Sequence, residues 1–255
     1  MSNPPGFCDD CFKGLRHEGE PEGKFEDIGG VKCYVGTPSG DYARNKVVLF
    51  LTDVFGLSLI NNKASVNLLV DDFARHGYWT VAPDILNDDP IVDFNSPTFN
   101  RELWFSKHGR DSWIPVVDKV VEALKAQGVT RIGTTGYCFG APPAFYLALK
   151  NESHVTVVTH PSLLKVPEDI EQYKAESKAP LLINSCEVDR QFPPEAQAKT
   201  DEILGNGKFA PGYERTYWDG CTHGFAVRGD LSNTKVKAGK EGAFKATVSF
   251  YNKYL

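Results

Sequence analysis

Residues 131–150 read RIGTTGYCFGAPPAFYLALK. The first seven, RIGTTGY, are rich in β-branched and aromatic types and read as a strand. The last ten, APPAFYLALK, read as a helix, because both prolines fall in the first turn, where a missing N–H is tolerated. GYCFG (136–140) joins the two. A strand that passes into a helix through G-x-C-x-G has the context of a nucleophile elbow. Such a turn is too sharp for bulky flanks, so glycines relieve it, and the central residue is held under strain at a helix N-terminus. That position favours a thiolate and lowers a thiol pKa from its usual ~8.5. The plain alternative is a small buried cysteine between two glycines. GYCFG alone does not decide between them.

The surrounding chain alternates strand and helix patterns. Strands are predicted over VKCYVGTP (31–38), KVVLFLTD (46–53), YWTVAPDI (78–85), HVTVVTH (154–160), APLLINS (179–185) and YERTYW (213–218). Over 62–77, Val66, Leu69, Val70 and Phe73 recur at helical spacing before Gly77. Over 115–128, Pro115 fits the first helical turn, Val117, Val120, Val121 and Leu124 share a face, and Gly128 ends the pattern. Helices are also predicted over 194–204 and 241–255. The alternation predicts an α/β fold: a mostly parallel, doubly wound sheet with helices on both faces. Sites in such sheets lie beyond the carboxyl ends of the strands.

Two partners for Cys138 stand at such ends. Asp189 follows strand 179–185 in CEVDRQFPP, and His223 follows strand 213–218 in DGCTHGF. Nucleophile, acid and base then occur in the chain order of the α/β-hydrolase fold. Each has a dull reading alone, as a loop carboxylate or a surface histidine. Three suitable types in order, each just past a strand, favour a catalytic triad. His223 would take the thiol proton or pair with the thiolate as an imidazolium, and Asp189 would fix the imidazole tautomer and stabilise its charge. Oxyanion donors are expected at the N–H groups of Phe139 and, from TDVFGL (52–57), Val54. Among the other histidines only His160, at a strand end, rivals His223; it is expected to line the pocket floor or pack under the elbow.

GYCFG, EVD (187–189), HGF (223–225) and DVFG (53–56) resemble the dienelactone hydrolase family, its fungal-type members most closely, from about residue 25 to 255. The resemblance implies a cysteine–histidine–aspartate hydrolase of lactones or esters that needs no metal or organic cofactor. It also implies that Asp53, where the family has a glutamate, contacts the resting thiol; a nearby carboxylate would keep that thiol neutral. A strand-end aspartate that caps backbone N–H groups is the alternative for Asp53. Family members bind a substrate carboxylate through arginines. Here HGFAVRGD puts Val227 where one would stand and Arg228 one residue on, and in FNRELWFSKHGRDSW only Arg101 is close. Arg101, Trp104, Phe225 and Arg228 are the candidate substrate-binding residues. The aromatic-rich stretch 88–113 suggests a lid or pocket wall.

The expected function is therefore hydrolysis of small esters or lactones through an acyl-cysteine. A thioesterase or acyltransferase on the same triad, or a hydrolase-fold binding protein, are the competing readings. A net charge of −5 disfavours nucleic acid and anionic membranes as partners. No apolar run approaches the ~18 residues of a membrane helix, and MSNPPGFCDD lacks a signal-peptide core. A cytoplasmic protein with reduced cysteines is expected, and a homodimer is permitted. Residues 1–24 read as an N-terminal arm and 25–255 as one domain. Cys8 and Cys11, with His17 nearby, lack a second ligand pair for zinc and are expected to be free thiols in the arm.

Overall fold

Side chains alternate across a strand, and KVVLFL can therefore serve two cores. In the computed structural model, which describes residues 21–57 and 65–255, this run is strand β3 (Lys46–Leu51). Val47, Leu49 and Leu51 pack into the core on one face of the sheet, and Val48 and Phe50 into the core on the other. All five are 1% exposed or less, and burying each such side chain is worth about 1.5–3 kcal/mol. Cys8, Cys11 and His17 lie outside the described residues.

Ahead of β3 come β1 (Lys24–Ile28) and β2 (Val31–Gly36). After it come α1 (Ser65–Arg75), β4 (Thr80–Pro83), α2 (Arg101–Lys107), α3 (Arg110–Ala126), β5 (Arg131–Tyr137) and α4 (Ala141–Leu149). The chain continues through β6 (Val155–Thr159), α5 (Glu168–Glu176), β7 (Leu181–Val188), α6 (Pro194–Leu204), β8 (Tyr213–Thr222), α7 (Phe225–Arg228) and α8 (Thr234–Tyr254). Among the described residues the sheet has eight strands in the order β1-β2-β4-β3-β5-β6-β7-β8. The pairs β1–β2 and β2–β4 are antiparallel and the others parallel. Valines and leucines of α3, alanines of α4 and Ile170 of α5 fill one core; α1, α7 and α8 cover the opposite face.

The α/β-hydrolase expectation holds, with local differences. The long central helix begins at Arg110, so Pro115 lies inside it rather than in its first turn. Gly109, in an extended conformation, is the real N-cap. The closing helix starts at Thr234, seven residues before the expected 241, because the Asn233 side chain accepts from the N–H groups of Lys235 and Val236. Strand β1 and helices α5 and α7 had no counterpart in the sequence reading.

Register gathers the site. Leu51 pairs with Gly136, Tyr137 with Thr159, Thr159 with Asn184, and Val188 with Thr222. The residues just past these ends, Asp53 and Val54, Cys138, His160, Asp189 and His223, therefore share one rim. No helix among the described residues is long and apolar enough to cross a membrane.

Candidate active site

The turn from β5 into α4 is an elbow in its geometry as well as its sequence. Cys138 has φ 51, a left-handed conformation that a non-glycine residue adopts at a cost. The flanking glycines are required by close approach. A Cβ at Gly136 would strike the carbonyl of Gly140, and one at Gly140 the carbonyl of Leu51. Cys138 is 8% exposed.

Asp189 and His223 come together from adjacent strands. The His223 N–H donates to Val188 O at 3.1 Å, which ties the two loops. Its Nδ1 lies 2.9 Å from both Asp189 carboxylate oxygens. Asp189 Oδ1 also accepts from the N–H groups of Gln191 and Phe192, at 2.8 and 3.1 Å. Burial raises the Asp189 carboxyl pKa, but the His223 hydrogen bond and charge, with those two N–H donors, outweigh it and hold it below 3.8. For His223, burial lowers the pKa, while the Asp189 hydrogen bond and charge, and the Cys138 sulfur as a thiolate, carry it up to about 10. Nδ1 must carry a hydrogen to face a carboxylate, which leaves Nε2 for the sulfur. Among the described residues Nε2 has no hydrogen-bond partner.

These shifts define a pH window. Asp189, with its lowered pKa, contributes stability above about pH 3.8 and loses it as acid protonates the folded carboxylate. His223, with its raised pKa, contributes fully below 6.5 and loses it as pH rises toward about 10. Asp189→Asn is expected to cost about 2 kcal/mol at pH 5–6. Urea unfolding should show that cost shrinking toward pH 3 and toward pH 10. A cost independent of pH would contradict the pairing.

A second tier of contacts holds the acid. Gln197, buried on α6, donates through Nε2 to Cys186 O and Phe192 O, at 3.1 and 3.0 Å, closing the loop that carries Asp189. Its Oε1 accepts from Arg215 Nη1, and Arg215 is paired with Asp201. Cys186 Sγ donates to Asp189 Oδ2 at 3.7 Å.

Other candidate residues fall in several places. Val54 is buried at the end of β3, and its carbonyl accepts from the Ile91 N–H. Phe139 is buried on the elbow with the Trp104 ring edge-on at 5.8 Å. Trp104 stands behind Phe139, stacked on His108 at 4.0 Å, with its indole N–H on Asp89 O. His108 is buried by that stack. Arg101 is exposed, over the Phe105 ring. Phe225, expected to line the pocket, is 1% exposed and packs in the core against His160. Gly224, at φ 90, turns the chain there and points Phe225 inward.

Asp53 adopts the alternative role. Its Oδ1 accepts from Phe55 N–H at 2.9 Å, and the carboxylate is ion-paired with Arg228. Among its described contacts there is none to Cys138. The guanidinium of Arg228 also lies over the Phe55 ring, 4.1 Å from its centroid. The group against the thiol is one the sequence reading passed over: Cys138 Sγ donates to Ser162 Oγ at 3.6 Å. Ser162 stands just past β6, a position the strand-end rule covers without distinguishing it from an ordinary loop serine. His160 lies under the site. Burial, with His223 alongside, lowers its pKa to about 3, and neither ring nitrogen has a partner among the described residues.

The model of the dienelactone hydrolase family matches residues 31–255. The chain is 33% identical to "Hydrolase pyvD" of Aspergillus violaceofuscus, over 100% of this chain and 98% of that one. It is 29% identical to "Dienlactone hydrolase 1" of Gibberella moniliformis, over 100% and 96%. A solved dienelactone hydrolase-like promiscuous phosphotriesterase from metagenomic libraries shares the fold, with TM-score 0.66 and 18% identity over 91% of this chain and 97% of that one. On the family match and these full-length relatives, the chain belongs to the dienelactone hydrolase family.

Proposed function

We propose that this protein hydrolyses small esters or lactones through an acyl-cysteine intermediate on Cys138, with His223 as base and acid and Asp189 as its orienting partner. The observation that carries the reading is a strained Cys138 at the elbow facing an imidazole whose other nitrogen is fixed by a buried carboxylate. His223 Nε2 takes the thiol proton, and the sulfur attacks the substrate carbonyl. The N–H groups of Phe139 and Val54 receive the developing oxyanion. The imidazolium returns the proton to the leaving alkoxide, which in a lactone stays tethered to the acyl group. Water then gives a proton to His223 as its oxygen attacks the thioester. The acid leaves, and the sulfur regains the proton.

Arg228 is the proposed contact for a substrate carboxylate, held by Asp53 when the site is empty. Arg101, out at the surface, is not part of that proposal. The 88–113 stretch is proposed as the pocket wall: Trp104 backs Phe139, and Phe94 packs edge-on against Phe55 at 5.5 Å. The test is a panel of small lactones, aryl esters and thioesters, with and without a carboxylate. Lactones and oxygen esters are expected to turn over faster than thioesters of the same acyl group. Arg228→Ala should raise KM about tenfold for carboxylate-bearing substrates and little for neutral ones. Tight binding with no turnover of any member would instead mark a binding protein.

A further inference from the structure

The turn after β6 carries strain without a glycine. In His160-Pro161-Ser162-Leu163, His160 has φ 40 and Leu163 φ 61. Two bulky residues in the left-handed region persist only where their surroundings hold them. His160 N–H donates to Asn184 O at 2.8 Å, and Ser162 N–H to Cys138 O at 3.2 Å. The His160 ring is packed among Tyr137, His223 and Phe225. The outcome of this arrangement is a buried hydroxyl, that of Ser162, set against the sulfur of Cys138 at 3.6 Å. The His223 imidazole is the other polar neighbour of that sulfur.

We propose that Ser162 is a further catalytic residue, whose hydroxyl accepts from the Cys138 thiol at rest and donates to the thiolate once the proton has passed to His223. The inference rests on the acyl-cysteine reading above. A serine hydroxyl has one donor and two acceptor lone pairs on a free rotor, so it can serve both states. At rest the S–H points at Ser162 Oγ, with the His223 imidazole beside the sulfur. On activation the S–H bond breaks, its electron pair stays on sulfur, and the proton goes to Nε2. Ser162 keeps its own proton and turns it toward the sulfur. A hydrogen bond to an anion is roughly twice as strong as one between neutral groups, so the exchange favours the thiolate. A carboxylate in this place could only accept, and would oppose it.

The titratable and charged groups around this corner leave that role to Ser162. His223 and Asp189 come from the β8 and β7 ends, His160 from β6, Tyr137 from β5, and the Asp53–Arg228 pair from β3 and α7. His160 is uncharged. Asp53 and Arg228 offset one another. The Tyr137 hydroxyl interacts with Thr135 and Thr159.

The experiment follows alkylation of Cys138 by iodoacetamide against pH, in the full-length protein, by peptide mass spectrometry. Ser162→Ala is expected to move the inflection up by about one pH unit and to slow labelling below it about tenfold. Ser162→Thr, which keeps the hydroxyl, is expected to track the wild type. A Ser162→Ala profile that superimposes on the wild type overturns the proposal. So does a threonine profile displaced as far as the alanine one, which would mark a packing effect. A wild-type Cys138 that reacts no faster than Cys221 overturns the acyl-cysteine reading itself, and the role of Ser162 with it.

Discussion

Cys138→Ala is expected to lower ester turnover by about 10⁴-fold or more. No other thiol among the described residues can replace it. Burial, with nearby carboxylates, raises the Cys33 thiol to about 12 and also raises Cys186 and Cys221. His223→Ala should cost nearly as much, and the double variant no more than either single one, because the proposed nucleophile and base would act as a unit. Stability should move the other way. Cys138 sits at φ 51, so Cys138→Gly is expected to relieve backbone strain and gain about 1 kcal/mol in urea unfolding while losing the activity. A glycine variant that is both inactive and less stable would show that the left-handed turn is not strained.

Gly140→Ala is expected to cost about 3 kcal/mol or more, or to prevent folding, because overpacking against a rigid main chain cannot be relieved by a rotamer change. Gly140 has φ −72, which any residue can adopt. Its requirement is space: a Cβ there would meet the carbonyl of Leu51 in β3. Gly30 is the control. It has φ 78 but nothing within 4 Å of an added Cβ, so Gly30→Ala should cost only about 1–2 kcal/mol of conformational strain. Urea unfolding of the two variants separates the effects. Equal costs would mean that β3 and the elbow are not as close as described.

The fold and the rim that carries the candidate site were legible for the same reason. A buried parallel strand is a dense apolar run, and such sheets put chemistry at the ends of those runs, so KVVLFL and RIGTTGY located the rim on which Cys138, Asp189 and His223 stand. What was not legible depends on direction rather than on residue type. Phe225 follows His223 in the chain, yet Gly224 at φ 90 turns it into the core. Asp53 has the type and place to touch the thiol, but the sequence does not show that Arg228 returns from α7 to claim its carboxylate. Ser162 was hidden because a serine after a strand is ordinary; only the left-handed residues on either side of it aim its hydroxyl at sulfur. Helix starts were misplaced where the cap is a lone residue, Gly109 or Asn233, outside any hydrophobic repeat.

The central claim is that acyl transfer passes through one sulfur. The protein is mixed with p-nitrophenyl acetate, quenched in acid within the first turnovers and digested for peptide mass spectrometry. The account expects an acetyl group on the peptide that carries Cys138, in an amount matching the burst of nitrophenol, and its absence in Cys138→Ala. A burst with the acetyl group on a different residue, or full turnover in Cys138→Ala, would contradict it.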